Sequence, residues 1–209
     1  MKRIFITILA LMTIVACDDK INGQDKEPEQ QETEATTKYN FAFNSKGECY
    51  SQSVEGIGED VFTAEIINHG WEQVELHEIF DNGNVEYADY WEERDGGGIA
   101  SPFYIDNTVL TQYLSTTAYP PGEDMGYRNY DYTFEDSAIR INTTMNIEDK
   151  NIPMYRILEV DTDLMICIEF IGISGYNNKK IFGLAAYRRM SAEELEECRQ
   201  KYTQNWSEE

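Results

Sequence analysis

An antiparallel β-barrel of eight or nine strands is the fold this chain predicts, and three observations predict it. Short runs rich in β-branched and aromatic residues recur from Trp71 to Arg189, turn residues separate nearly all of them, and no helical pattern intervenes. Strands in series joined by tight turns form a meander, which closes most simply as an up-and-down barrel with no exposed edge. A β-sandwich competes, but it needs crossovers between sheets, and only the connections at 92–100, 116–126 and 146–153 are long.

The elements follow in order. Tyr39 to Ser53 carries weak signals. Glu59 to Asn68, with Val61, Phe62, Ile66 and Ile67 apolar, reads as a short helix with Gly70 near its C-cap. Trp71 to Phe80 is the first strand, with Val74, Leu76 and Phe80 on one face, and Asp81-Asn82-Gly83-Asn84 is a hairpin turn in which glycine can take positive φ. Val85 to Trp91 is the second strand, and Gly96-Gly97-Gly98 makes a loop after it. Phe103 to Ile105, Thr108 to Ser115, Tyr127 to Phe134, Ala138 to Met145, Met154 to Val160, Leu164 to Ile173 and Lys179 to Arg189 complete the series. Ser191-Ala192-Glu193-Glu194 is a capping box that opens a helix running to about Tyr202.

The start of the chain reads as an address. Lys2 and Arg3 precede a 13-residue largely apolar stretch from Ile4, too short to cross a bilayer as a helix, which ends in Ile14-Val15-Ala16-Cys17. This run resembles a bacterial lipobox. The resemblance implies cleavage after Ala16, acylation of Cys17, and anchoring to a membrane by acyl chains. Residues 18–38, with seven acidic and three basic side chains and almost nothing apolar, read as a flexible tether. Acidic residues after the lipidated cysteine resemble surface-export signals of some Gram-negative commensals, whereas Asp18 in the enterobacterial pattern implies inner-membrane retention. The domain plan is therefore a signal peptide at 1–16, lipidated cysteine and tether at 17–38, and one barrel domain at 39–209. Without Lys2 and Arg3 the formal charge goes from -22 to -24 (15 basic, 39 acidic), which repels nucleic acid and anionic head groups.

Gly70-Trp71 after a short helix, a meander ending in Tyr187-Arg188-Arg189, and a C-terminal helix together resemble the lipocalin-like (calycin) lipoproteins of Gram-negative bacteria over about residues 57–190. The spacing is Gly-Trp rather than Gly-x-Trp, and the Thr-Asp-Tyr motif is missing. The resemblance implies a barrel floor in which Trp71 is covered by Arg188 or Arg189. It also implies a binding module in the cell envelope, on the periplasmic side of the outer membrane or at the cell surface, rather than an enzyme.

Chemistry-bearing patterns are sparse. His69 and His77 lie outside metal-ligand spacing, so no metal or other cofactor is expected, and no nucleophile motif appears. Among many carboxylates, Glu75, Glu78, Glu86, Asp89 and Glu169 could pair as in an acid-based hydrolase; Glu169 stands out by lying in the most apolar strand, where a rim position or a pair with Arg156 would also explain it. Cys167 reads as a buried, inert thiol, and Cys49 and Cys198 flank the β region as a possible disulfide. Asp136-Ser137-Ala138 resembles a bacterial O-glycosylation acceptor, although a plain turn explains it too. Aromatics are the strongest signal: Tyr130, Tyr132 and Phe134 alternate on one face. A ligand in the barrel mouth, small and apolar or amphipathic, would meet Tyr87, Trp91, Tyr130, Tyr132 and Arg156. The rival reading is an accessory component of an envelope complex with a filled barrel and a protein partner.

Overall fold

The computed structural model describes residues 38–87, 102–115, 125–142 and 150–207. The signal peptide, Cys17, the tether, Trp91 and the Gly96-Gly97-Gly98 loop lie outside the described residues.

Eight strands close into an antiparallel up-and-down barrel: β3 (His69–Ile79), β5 (Phe103–Ile105), β6 (Val109–Ser115), β7 (Met125–Glu135), β8 (Ala138–Asn142), β9 (Asn151–Val160), β10 (Leu164–Ile173) and β11 (Lys180–Arg189). Closure comes from β11 pairing with β3, Phe182 opposite Ile79 at one end and Arg189 opposite Trp71 at the other. An extra strand, β4 (Val85–Tyr87), takes the other edge of β3 at His77 to Ile79, while β5 takes it at His69 to Trp71, so two segments fill one barrel position in succession. The backbone of Tyr87 pairs with His77 there.

A hairpin before the barrel and a short strand after it were not legible in the sequence. β1 (Phe41–Phe43) and β2 (Cys49–Ser51) form a hairpin. It packs on the outside of the barrel wall, with Phe43 against Phe182 at 6.3 Å between ring centroids. After α2 (Ala192–Lys201), the short β12 (Gln204–Asn205) pairs in parallel with β7 beside Gly126 and Tyr127. Gly126 permits this approach, since a Cβ there would fall 2.5 Å from both the Gln204 carbonyl and the Trp206 ring. Ser191 caps α2 with a complete capping box: its hydroxyl accepts from the Glu194 amide, and the Glu194 carboxylate accepts from the Ser191 amide.

The helix before the barrel is shorter than its pattern. α1 (Glu59–Val61) passes into a π-helical turn at Phe62–Ile66, and Asn68 at φ 64° makes the reversal expected of Gly70. Gly70 lies instead inside β3, where a Cβ would press on Leu195 and Met190 at 3.1–3.2 Å and lift α2 off the wall. The expected apolar face of the first strand is also corrected. Register slips at Val74, so that Tyr187 pairs with Gln73 but Ala186 with Glu75; Val74 and Phe80 are exposed and only Leu76 packs toward the core.

The floor is closed by α1 and its π-helical turn. Phe62 stacks on Phe134 at 4.0 Å and meets the edge of Tyr132 at 6.2 Å. Trp71 is fully buried, with the Arg189 guanidinium 5.2 Å from its ring centroid. Arg189 also donates to the Glu65 carbonyl at 2.8 Å and to its carboxylate at 3.0 Å, tying the helix to the sheet. Arg188 faces the other way and bridges Glu72 to Glu194 of α2.

A candidate ligand site in the barrel lumen

Cross-strand register decides which side chains face inward. Trp71 pairs with Phe103, Phe103 with Gln112, Met165 with Tyr187, Cys167 with Ala185 and with Ile157, and Glu169 with Gly183 and with Tyr155. Paired residues point to one side of a sheet, so all of these share the lumen. The lower lumen is filled. Trp71, Phe103, Ile105, Leu110, Tyr155, Ile157, Met165 and Tyr187 are buried there, and Phe103 stacks on Tyr155 at 4.6 Å.

A polar chain crosses the top of this packed layer. Gln112 donates to the Tyr155 hydroxyl at 3.3 Å, Tyr155 is hydrogen-bonded to Tyr187, and Tyr187 donates to the Glu169 carboxylate. Gln73 donates to the same carboxylate at 2.5 Å and to the Tyr187 hydroxyl at 3.2 Å. Glu169 is thus held by two neutral donors. Desolvation outweighs both bonds and pushes its carboxyl up to about 7. Burial pushes the Tyr155 and Tyr187 hydroxyls and the Cys167 thiol well above their ordinary ranges, with the Glu169 charge adding to each.

Above this level the lumen changes character. Glu169 is strongly desolvated yet keeps part of its side chain accessible. Gln73, Leu76, Glu78, Tyr130 and Ile171 are likewise only half-buried. Glu78 pairs with Gly183, so Glu78 and Glu169 flank that glycine on the inner face of three adjacent strands. A Cβ at Gly183 would lie 2.6 Å from a Leu76 methyl and 2.9 Å from an Ile171 methyl, so these two hydrocarbon side chains close over the glycine beside the carboxylate. The inner face here brings an aromatic layer, the Leu76 and Ile171 side chains and the Glu169 carboxyl together.

The expected contact residues are distributed differently. Tyr130 faces the lumen opposite Leu110. Tyr132 belongs to the floor, donating its hydroxyl to the Asp106 carbonyl at 2.6 Å. Arg156 is corrected outright: it pairs with Ala138 and Ile168 on the outer wall and donates to the Asp136 carbonyl at 2.5 Å, so it neither lines a mouth nor pairs with Glu169. Its neighbour Tyr155 is the inward residue. The Tyr87 side chain and all of Trp91 lie outside the described residues. Tyr155, Tyr187, Gln73 and Gln112 were missed as a group because each is unremarkable in its own strand, and only the register unites them.

Other expectations resolve in the same way. Cys49 and Cys198 are free, so the possible disulfide is not formed: Cys49 is buried in β2 near Arg156, while Cys198 sits on α2, whose Arg199 lies over Tyr104 on the wall at β5. The Ser137 hydroxyl donates to the Ile57 carbonyl at 2.9 Å, with the Glu55 carbonyl at 3.1 Å, in a turn where Asp136 and Ser137 both take positive φ. That commitment makes it a turn residue holding the segment before α1. Among the described residues no three His, Cys, Asp or Glu side chains are grouped to hold a metal, and no helix is long and apolar enough to cross a membrane.

Fold and lumen together define an eight-stranded up-and-down barrel protein with an acid-based polar cluster inside. Comparison with family models, characterised proteins and solved structures finds no match.

Proposed function

We propose that this protein is a lipid-anchored module of the bacterial cell envelope that binds a small apolar or amphipathic ligand in the upper lumen of its barrel. The observation that carries the reading is the polar chain from Gln112 to Glu169 and Gln73, which lies across a filled floor while its upper members stay partly accessible. A barrel built only as a scaffold gains nothing from enclosing a carboxyl group, whose desolvation costs stability unless something uses it. The lipobox at Cys17 and the lipocalin-like order of elements support the anchoring and the class.

An NMR titration of the full-length chain with hexanol tests the site. Signals from the Gln73 and Gln112 side-chain amides are expected to shift, while those of Asn177, on an outer turn, stay still. Shifts scattered over the outer wall would contradict a lumen site. The anchor is tested by mass spectrometry: the wild type should begin at an acylated Cys17, and Cys17→Ser should keep an uncleaved, unacylated leader.

The elevated Glu169 carboxyl also favours a second reading, an acid-based hydrolase in which Glu169 donates a proton. That reading requires Glu169→Gln to abolish turnover of a bound ligand without loss of affinity.

A further inference from the structure

Among the described residues the Glu169 carboxylate meets no counter-charge. Its partners are the Gln73 amide and the Tyr187 hydroxyl, both neutral. From β9 it faces Tyr155, from its own strand Cys167, and from β3, across Gly183, Glu78, a second acid. Arg128 shares the inner face of β7 by register, opposite Gln112, but its guanidinium is engaged with the Trp206 carbonyl at 3.3 Å. Arg140, Arg156 and Arg188 belong to outer-wall contacts, and Arg189 is tied to Glu65 beneath Trp71. A buried ionised carboxylate is stable only when paired, and here the wall supplies no described cation to pair it.

We infer that the lumen selects a monocation carried on a compact apolar body, a protonated amine above all, with its charged head on the Glu169 carboxylate and its hydrocarbon against Leu76 and Ile171. This rests on the binding-module reading above and adds the charge of the ligand. An ammonium offers three donors, of which the carboxylate takes one or two and the Tyr155 hydroxyl can accept another. The aromatic floor contributes ring faces that attract a cation. Glu78, nearer the rim, adds a second negative charge along the way in. An anionic ligand would meet both acids and be repelled; a neutral one would leave Glu169 uncompensated.

Calorimetric titration of the full-length chain with hexylammonium, hexanol and hexanoate, matched in chain length, decides the matter. Hexylammonium should bind at least about tenfold more tightly than hexanol, and hexanoate weakest. The amine stays protonated at both pH 6 and pH 8 while Glu169 passes from mostly neutral to mostly ionised, so its affinity should rise by up to about tenfold between them. Glu169→Gln should lose the preference and the pH dependence, with a cooperative unfolding transition at pH 8 showing that the variant folds; Glu169→Asp, which keeps the charge, should retain part of the preference. Hexanol or hexanoate binding the wild type as tightly as hexylammonium overturns the cation inference and leaves the binding module standing. Failure of all three to bind overturns both.

Discussion

A carboxyl group enclosed by protein resists ionisation, and the sign of its effect on stability follows. Glu169 is pushed up from 4.5 to about 7. Between those values the folded chain keeps a proton that the unfolded chain has lost, so stability is full at low pH and declines as pH rises through this window, by about 3 kcal/mol once both states are ionised. Denaturant unfolding at about pH 5 and pH 8 should show that decline in the wild type and its near absence in Glu169→Gln. Glu48 has the opposite sign. Burial works to raise its carboxyl, but hydrogen bonds from Arg140 and Asn44 and the Arg140 charge outweigh it and hold the group below its usual range. Its contribution is present above the carboxylate range and lost as pH falls through it. Little of this was legible: Glu169 stood out by its apolar strand, but Arg156 was taken for a mouth residue because one strand alone does not say which of two adjacent residues points in.

At the scale of elements, legibility followed local chemistry. Leu164 to Ile173 was delimited from the sequence as the structure has it, because turn residues bound an apolar run on both sides. The capping box of α2 was equally plain, and Ser191→Ala should cost about 1 kcal/mol by equilibrium unfolding. Bulges were invisible. Register slips at Val74, Met154, Leu158 and Ile171 each reverse the inside–outside alternation, and no residue type announces them. The β1–β2 hairpin was also missed, since its support is long-range. Both Arg140 guanidinium nitrogens donate to the Glu48 carboxylate at 3.0 Å, 92 residues away and almost wholly buried. Arg140→Met leaves that carboxylate buried and unpaired, and should cost about 3–5 kcal/mol and open the hairpin to limited proteolysis near Lys46.

For the molecule as a whole, the meander and its turns predicted the architecture, and pairing of the first barrel strand with the last realises it. That closure places Trp71 beneath Arg189 and seals the lower lumen, so Trp71→Ala should cost about 3–5 kcal/mol of unfolding free energy through the cavity it leaves. The acid sits just above that sealed floor. The whole account therefore turns on whether Glu169 is an enclosed acid facing a lumen that a cation can enter. Carbon-13 NMR of the Glu169 side-chain carboxyl across a pH series, without and with saturating hexylammonium, measures this directly. The account predicts a midpoint near 7 in the free protein and a fall of about one pH unit when the ammonium is bound. A midpoint near the ordinary carboxylate value of about 4.3, unmoved by the ammonium, would contradict it.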